Sequence, residues 1–119
     1  MPTRNEDLKD RLLRYREIKI SVIGRKSGRT ISIPVWFVAD DENLYLLPVQ
    51  GSDTQWYKNV LKNPSIGIDA RGAEAELKAV PTADPQQVSS VVEKFRGKYG
   101  AVVKKYYFKF DVAVLVPMQ

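Results

Sequence analysis

The hexapeptide Gly24–Arg29 combines three cations, one hydroxyl and two glycines within six residues. It lies between two runs in which apolar and polar residues alternate, which is typical of the turn of a β-hairpin. Backbone amides in such a turn can form an anion-binding concavity, and Arg25, Lys26 and Arg29 would surround it with positive charge. The GxxxxGK[ST] spacing of a P-loop is absent. The segment therefore predicts either an anion-binding hairpin or a solvated basic hairpin.

A second group of candidate residues follows Gly51. Trp56, Tyr57 and Asn59 fall on a short predicted helix, for which Asp53 is a good N-cap. The amino terminus of this helix would offer unpaired amide donors to an anionic group. Tryptophan and tyrosine are also common anchors of a hydrophobic core, so these aromatic residues predict either packing or ligand contact.

The third candidate group is aromatic and lies near the end of the chain. The sequence contains no histidine and no cysteine. This excludes Ser-His-Asp and Cys-His catalysis, and we expect no metal site. Proton transfer would then fall to tyrosine, serine, threonine, lysine, a carboxylate or water. Tyr99, Tyr106 and Tyr107 are therefore candidate proton donors, and packing is their alternative role.

The elements that must position these residues follow from the hydrophobic period. Period-two alternation predicts six strands and helical spacing predicts three helices, in the order α-β-β-β-α-β-β-α-β. The first helix spans Asn5–Glu17, the fifth strand runs through Ala79, and the sixth begins at Phe110. Pro34 inside the second strand cannot donate a ladder hydrogen bond, so it marks an edge or a bulge. Hairpin-linked strands with few helices predict a mainly β, mostly antiparallel sheet that closes into a small barrel.

The composition is typical of one soluble domain covering residues 1–119. The chain is 44% hydrophobic and 28% charged, with 19 Lys and Arg against 14 Asp and Glu, which gives a net charge of +5. No apolar run approaches the roughly 20 residues of a membrane span, and the charged amino terminus does not resemble a signal peptide. Together with the absence of cysteine, this predicts a cytoplasmic protein. The positive charge suits phosphate-bearing cofactors, nucleic acid or a membrane surface without choosing among them.

The order and spacing of several short motifs resemble the deazaflavin-dependent nitroreductase family. The motifs are the GRKSGR hairpin, the strand Ile33-Pro34-Val35, the segment Trp56-Tyr57-Lys58-Asn59 after a glycine, and Lys62-Asn63-Pro64. Members of that family are split β-barrels of the flavin-reductase kind and use coenzyme F420. The resemblance, over roughly Ile18 to Ala83, implies a six-stranded antiparallel split barrel. It also implies an oxidoreductase that passes hydride from reduced F420 to a flat, electron-poor acceptor such as a quinone or nitroaromatic.

The resemblance further implies roles for individual residues. The hairpin would bind the phosphate and acidic tail of the cofactor, and the WYxN segment would pack along the deazaflavin and its linker. The segment before the last strand would border the substrate. Reduced deazaflavin donates hydride from its own ring, so the protein needs orientation and electrostatics rather than a nucleophile. The implied cofactor-binding residues are Arg25, Lys26, Ser27, Gly28, Arg29, Pro34, Gly51, Trp56, Tyr57 and Asn59, and the candidate catalytic residues are Tyr99, Tyr106 and Tyr107.

One departure from the family pattern keeps other cofactors open. Members often carry a serine and a lysine just before the glycine of the strand-to-helix loop, where this chain has Pro48-Val49-Gln50-Gly51. The loss of that lysine removes one anion contact, so FMN, haem or no cofactor are alternatives, as is a flavin- or deazaflavin-binding protein without turnover. A homodimer is compatible with the resemblance, although the sequence carries no dedicated interface signature.

A nucleic-acid-binding module with an OB-fold is the alternative from a different functional class. Trp36, Phe37 and Tyr45 would then form a platform on which bases stack. Two features oppose it. Asp40-Asp41-Glu42 places negative charge beside that platform, and the OB-fold leaves the WYxN segment and the sixth strand unexplained. We therefore expect a small-molecule acceptor and no specific nucleic acid.

Overall fold

A computed structural model of the chain describes residue 12 and residues 14–118, and within them seven strands form one antiparallel sheet. The spatial order of the strands is β5-β4-β1-β2-β3-β7-β6. Their bounds are β1 Glu17–Ile23, β2 Thr30–Ala39, β3 Asn43–Leu46, β4 Ser65–Ala70, β5 Ala73–Lys78, β6 Val80–Thr82 and β7 Ala113–Pro117. The sheet is strongly curled into a half-barrel, which confirms the predicted mainly β, split-barrel fold class.

A single residue carries the chain from one edge of the sheet to the other. β5 and β6 lie at opposite edges of the sheet, yet only Ala79 separates them in the chain. Ala79 is buried, and its N–H donates a 2.8 Å hydrogen bond to the carbonyl oxygen of Pro64. The chain thus leaves β4 and joins β7 at this point, so β6 follows the predicted fifth strand as a separate strand that was not predicted. For this reason the sheet has seven strands rather than the predicted six.

Three helices and two short 3-10 turns complete the described part of the chain. The helices are α1 Gln55–Lys62, α2 Pro85–Tyr99 and α3 Val103–Tyr106, and the 3-10 turns are Gly51–Asp53 and Gly100–Val102. The predicted start of α2 is confirmed, with Asp84 as N-cap and Pro85 in the first turn. Residues 5–11 and 13 of the predicted helix Asn5–Glu17 lie outside the described residues. Leu12 is helical, but Arg14 lies in a turn and Glu17 begins β1, so the helix does not extend to the predicted boundary. No helix among the described residues is long and apolar enough to cross a bilayer.

Strand β2 changes partner halfway along its length. Residues Thr30 to Trp36 pair with β1, and residues Phe37 to Ala39 pair with β3. Along 30–36, the edge that faces away from β1 pairs with no other described strand, and Pro34 lies in this stretch. A proline is tolerated at such an edge because it has no N–H to contribute to a ladder. The sheet therefore opens beside residues 30–36.

Two buried apolar clusters hold the elements around this open edge in place. One fills the inside of the curled sheet and includes Ile20, Phe37 and Leu46. The other lies between the sheet and α2, whose residues Val88, Val91, Val92, Phe95 and Tyr99 are buried. They fall at i, i+3, i+4, i+7 and i+11, which places them on one face of the helix. The two clusters hold β2 and the carboxyl-terminal end of α2 in fixed positions.

Candidate functional site

A cleft of about 480 Å³ lies beside the open edge of β2. It is bounded by β2, by the segment that follows β3, by the start of α1 and by the end of α3. A volume of this size is within the roughly 300–1,000 Å³ of small-molecule sites. Most of its wall is apolar or aromatic, which suits a planar ring system. The lining residues are Glu17, Ile33, Pro34, Val35, Trp36, Leu47, Val49, Thr54, Trp56, Tyr106 and Tyr107.

Both tryptophans of the chain line this cleft. Trp56 is only 7% exposed and belongs to the cluster inside the curled sheet. Trp36 is half-buried and stacks on Tyr99, with ring centroids 4.6 Å apart and an interplanar angle of 11°. Tyr106 meets Trp36 edge-on at 5.2 Å. Because each indole is held by packing, the cleft has preformed aromatic walls.

The predicted base-stacking platform is wrong. Phe37 is fully buried in the core, and Tyr45 is 8% exposed. The hydroxyl of Tyr45 donates a 2.6 Å hydrogen bond to Oδ2 of Asp40, and burial together with this carboxylate raises the pKa of Tyr45. Trp36 and Phe37 point to opposite faces of β2 because side chains alternate along a strand. The three aromatic residues therefore do not form one exposed surface.

Tyr99 uses its hydroxyl to hold the backbone together. The oxygen lies 2.7 Å from the carbonyl oxygen of Arg16 and 2.8 Å from that of Phe37, and it accepts the N–H of Phe37 at 3.0 Å. A phenol has one proton to donate, so the two carbonyls share it. Tyr99 is buried and does not line the cleft. Its geometry fits packing and main-chain anchoring better than proton donation.

Tyr107 differs from Tyr99 in the surroundings of its hydroxyl. Its ring is 4% exposed and packs edge-on against Phe95 with centroids 5.8 Å apart. Among the described residues no group hydrogen-bonds this hydroxyl. Since no buried side-chain polar atom among those residues lacks a partner, the hydroxyl oxygen of Tyr107 retains some contact with solvent. Tyr107 is also one of the residues that line the cleft. Burial, with a smaller effect from Tyr99, raises the pKa of Tyr107 well above its ordinary value of 10.

The basic hairpin is held against α1 by one of its own cations. Arg25 donates from its guanidinium to Oδ1 of Asn59 at 2.8 Å and to Oε1 of Gln55 at 2.8 Å. Lys26 and Arg29 are exposed, and their side chains have no ion-pair or hydrogen-bond partner among the residues that the structure describes. Two of the three predicted cations thus face solvent, whereas Arg25 positions the hairpin.

The structure brings some of the predicted site residues together and separates others. Pro34, Trp56, Tyr106 and Tyr107 line the cleft. The other predicted positions do not line it. Ser27 and Gly28 lie at the hairpin tip, Tyr57 is buried, and Gly51 adopts a positive φ of 55° in the loop before α1. The remaining positions outside the lining are Arg25, Lys26, Arg29, Asn59 and Tyr99.

Sequence reasoning missed seven of the eleven lining residues, among them Trp36, Glu17, Leu47 and Val49. Trp36 had a usable signal, because it follows Pro34 by two residues and so shares the same face of an edge strand. Glu17 lies directly opposite Trp36 in the β1–β2 register, which becomes visible only when the register is known. Leu47 and Val49 follow a strand end and carry no pattern that distinguishes them from core residues.

The chain matches a known protein family along most of its length. The family described as "Uncharacterized protein conserved in bacteria (DUF2255)" matches residues 9–111. The chain belongs to this family. No curated protein matches the chain.

Solved structures share the fold of this DUF2255 chain at low sequence identity. An F420-H2 dependent reductase (FDR-A) matches with a TM-score of 0.64 at 16% identity, over 85% of this chain and 93% of that chain. HutZ, a heme storage protein from Vibrio cholerae, matches with a TM-score of 0.70 at 14% identity, over 93% and 86%. A chain described as a domain-swapped dimer matches with a TM-score of 0.68 at 17% identity, over 85% and 79%. The split-barrel fold thus serves both a reductase and a haem protein.

Proposed function

We propose that this chain is an oxidoreductase that binds a deazaflavin, with FMN as the alternative, and passes hydride to a flat, electron-poor acceptor such as a quinone or nitroaromatic. The observation that carries the proposal is the cleft itself. Two indoles and Tyr107 line one largely apolar cleft, and two cations that have no partner among the described residues lie just before the strand that lines it. The likeness to the F420-H2 dependent reductase supports the same assignment.

The residues present fit such a cofactor. The aromatic and apolar wall formed by Trp36, Trp56 and Pro34 suits a planar ring. Arg29 precedes Ile33 by four residues along β2, which corresponds to roughly 13 Å at about 3.3 Å per residue. A phosphate on a flexible side chain could span that distance and meet Lys26 and Arg29. When bound, the cofactor would supply the hydride, and the protein would supply orientation and charge.

Tyr107 is the residue that we assign to proton supply. Its raised pKa keeps the phenol protonated at neutral pH, so it can donate a hydrogen bond to an oxyanion that develops on the acceptor. Tyr106 also lines the cleft, but it is 58% exposed and therefore competes with water for the same role. Tyr99 is a weaker candidate because main-chain groups already occupy its hydroxyl.

Haem is less favoured than a flavin-type cofactor in this chain. Proteins bind haem iron most often through histidine, cysteine, methionine or tyrosine. The chain has no histidine and no cysteine, and the cleft lining contains no methionine. Tyr106 and Tyr107 would be the only haem-type ligands in that lining. The apolar cleft and its neighbouring cations fit a phosphate-bearing ring cofactor better.

The proposal includes a homodimer. Aromatic residues in segment 106–110 are unusually exposed, with Phe108 at 74%, Tyr106 at 58% and Phe110 at 37%. Exposed apolar patches of this kind mark interaction sites, and a similar structure is described as a domain-swapped dimer. We expect sedimentation to give a dimer for the wild type and a monomer for Phe108→Ser. A wild-type monomer at high concentration would contradict this part of the proposal.

Intrinsic fluorescence tests the proposal directly, because both tryptophans line the cleft. The purified protein is titrated side by side with F420, FMN, haem and single-stranded DNA. We expect F420 to quench the emission most strongly at low concentration, with FMN second. Arg29→Ala should weaken F420 binding, whereas Lys78→Ala, which removes an exposed cation from β5, should leave it unchanged. Quenching by DNA alone, or by none of the ring compounds, would overturn the proposal.

A further inference from the structure

Two segments that line part of the cleft are hydrogen-bonded to each other. The N–H of Phe108 donates a 2.8 Å hydrogen bond to the carbonyl oxygen of Val49. Ser52 donates twice to one carboxylate, from its N–H to Oδ1 of Asp111 at 3.0 Å and from its hydroxyl to Oδ2 at 2.6 Å. These contacts join segment 48–54 to segment 106–111 across 59 residues of sequence.

An ion-pair network extends the same junction. Lys109 lies 3.2 Å from Oδ2 of Asp53 and 3.6 Å from Oδ2 of Asp111. Gly51 lies against this network so closely that a Cβ would overlap the carboxylate of Asp111. Burial alone would raise the pKa of Asp111, but the hydrogen bonds from Ser52 and the charge of Lys109 outweigh it and lower that pKa. Asp111 is therefore ionised at neutral pH. We call the contacts among Ser52, Asp53, Lys109 and Asp111 the latch.

Each latched segment supplies part of the cleft wall. Val49 and Thr54 come from the first segment, and Tyr106 and Tyr107 come from the second. The facing wall is different, because β2 is held there by a seven-residue ladder with β1. Strand β2 is thus fixed by a sheet and Tyr107 by packing in a buried apolar cluster, whereas segments 48–54 and 106–111 are joined to each other mainly by polar contacts at partly exposed side chains.

From this difference we infer that Asp111 is a positioning residue, which acts through Ser52 and Lys109 to hold the exposed side chains of Val49 and Tyr106 at the cleft wall and so limits access to the cleft. Exposed ion pairs are screened by salt, whereas apolar packing is not. Salt should therefore increase access even for an uncharged molecule, which feels no direct electrostatic attraction. This inference rests on the proposed function only for the identity of the ligand that enters the cleft.

Acrylamide quenching of tryptophan emission tests the latch without any ligand, because acrylamide is uncharged and both indoles line the cleft. We expect Asp111→Asn to raise the quenching constant by about twofold or more, since it removes a charge-assisted hydrogen bond. Raising the salt from low to molar concentration should raise the constant in the wild type and change it little in Asp111→Asn. The control is Asp41→Asn, which removes one charge from the exposed β2–β3 turn and should behave like the wild type.

A second pair of variants keeps the test decisive if Asp111→Asn does not fold. Ser52→Ala removes only the hydroxyl donor and should raise the quenching constant, whereas Ser52→Thr restores a hydroxyl and should return it to the wild-type value. Equal constants in the wild type, Asp111→Asn and Ser52→Ala would overturn the inference. A wild-type constant that is independent of salt would also overturn it. Neither result bears on the titrations with F420 and FMN, which decide the proposed function separately.

Discussion

The guanidinium of Arg25 donates a 2.8 Å hydrogen bond to Oδ1 of Asn59, and the main-chain N–H of Arg25 donates to the same oxygen at 3.1 Å. Asn59 is 5% exposed and is a buried polar side chain. Both residues are predicted to contact a cofactor, and in the structure they contact each other across 34 positions of sequence. The pair fixes the basic hairpin to α1 and leaves Lys26 and Arg29 as the cations that a ligand would meet.

Arg25→Ala should therefore destabilise the protein. It leaves the buried oxygen of Asn59 with only the main-chain donor, and loss of a charge-assisted hydrogen bond costs about 1.5–3 kcal/mol. Arg29→Ala, at an exposed side chain on the same hairpin, should stay within about 0.5 kcal/mol of the wild type. Urea unfolding measures both variants. Equal free energies of unfolding for the two would contradict the anchoring role of Arg25.

Trp56 should contribute to stability whether or not a ligand is present. It is 7% exposed in the cluster inside the curled sheet, so Trp56→Ala should cost about 3–5 kcal/mol. Trp56→Phe keeps an aromatic ring and should keep the fold, while it weakens binding of a ring cofactor at the cleft. Urea melts with and without F420 separate the two effects. A ligand-dependent cost for Trp56→Ala with no cost in its absence would contradict the structural part.

Sequence predicted the features whose causes are local. The GRKSGR turn, the edge position of Pro34 and the start of α2 at Pro85 each follow from neighbouring residues. The break at Ala79 is not local, because it depends on which strands occupy the two edges of the sheet. Phe110 alternates in phase with β7 and was expected in that strand, yet it is 37% exposed and precedes the start of β7 at Ala113.

The site was harder to predict than the fold because similar residues have different distant partners. Tyr99 and Tyr107 are both buried tyrosines near the end of the chain. The hydroxyl of Tyr99 binds the backbone of Phe37, 62 residues away, whereas that of Tyr107 has no partner among the described residues. No spacing rule distinguishes these cases. The same holds for Arg25, whose chemistry matches Lys26 and Arg29 but whose acceptors lie on α1.

Lys98 should make stability depend on pH in the alkaline range. Its Nζ lies 3.0 Å from the carbonyl oxygen of Tyr15 and 2.9 Å from that of Phe37. Burial, followed by repulsion from Arg16, lowers the pKa of Lys98 from 10.5 to about 8. Between these two values the unfolded chain binds more protons than the folded one, so stability rises with pH.

The half-exposed position of Lys98 reduces the expected effect to about 1 kcal/mol between pH 8 and pH 9.5. Lys98→Met should remove this rise, and Lys78→Met on β5 should retain it. Urea melts across this interval measure the slope, and they stop at pH 9.5 because unfolded tyrosines begin to titrate near 10. A wild-type stability that is flat or falling over the same interval would contradict the prediction.

Removal of the Tyr107 hydroxyl should slow turnover and leave cofactor binding intact. Reduction of a quinone or nitro group needs protons as well as hydride, and the chain has no histidine to supply them. Tyr107→Phe keeps the ring against Phe95 and deletes only the hydroxyl of this cleft-lining residue, so the rate should fall by about tenfold to a thousandfold. The matched variant Tyr99→Phe deletes a hydroxyl that binds the backbone, so it should lower stability by about 1–3 kcal/mol and leave the rate of the folded protein nearly unchanged.

Single-turnover oxidation of bound reduced F420 by menadione measures both rates, with Tyr106→Phe as the exposed comparison. Wild-type rates in all three variants would make water the proton source, and a slow Tyr99→Phe beside a normal Tyr107→Phe would reverse the assignment of the two tyrosines.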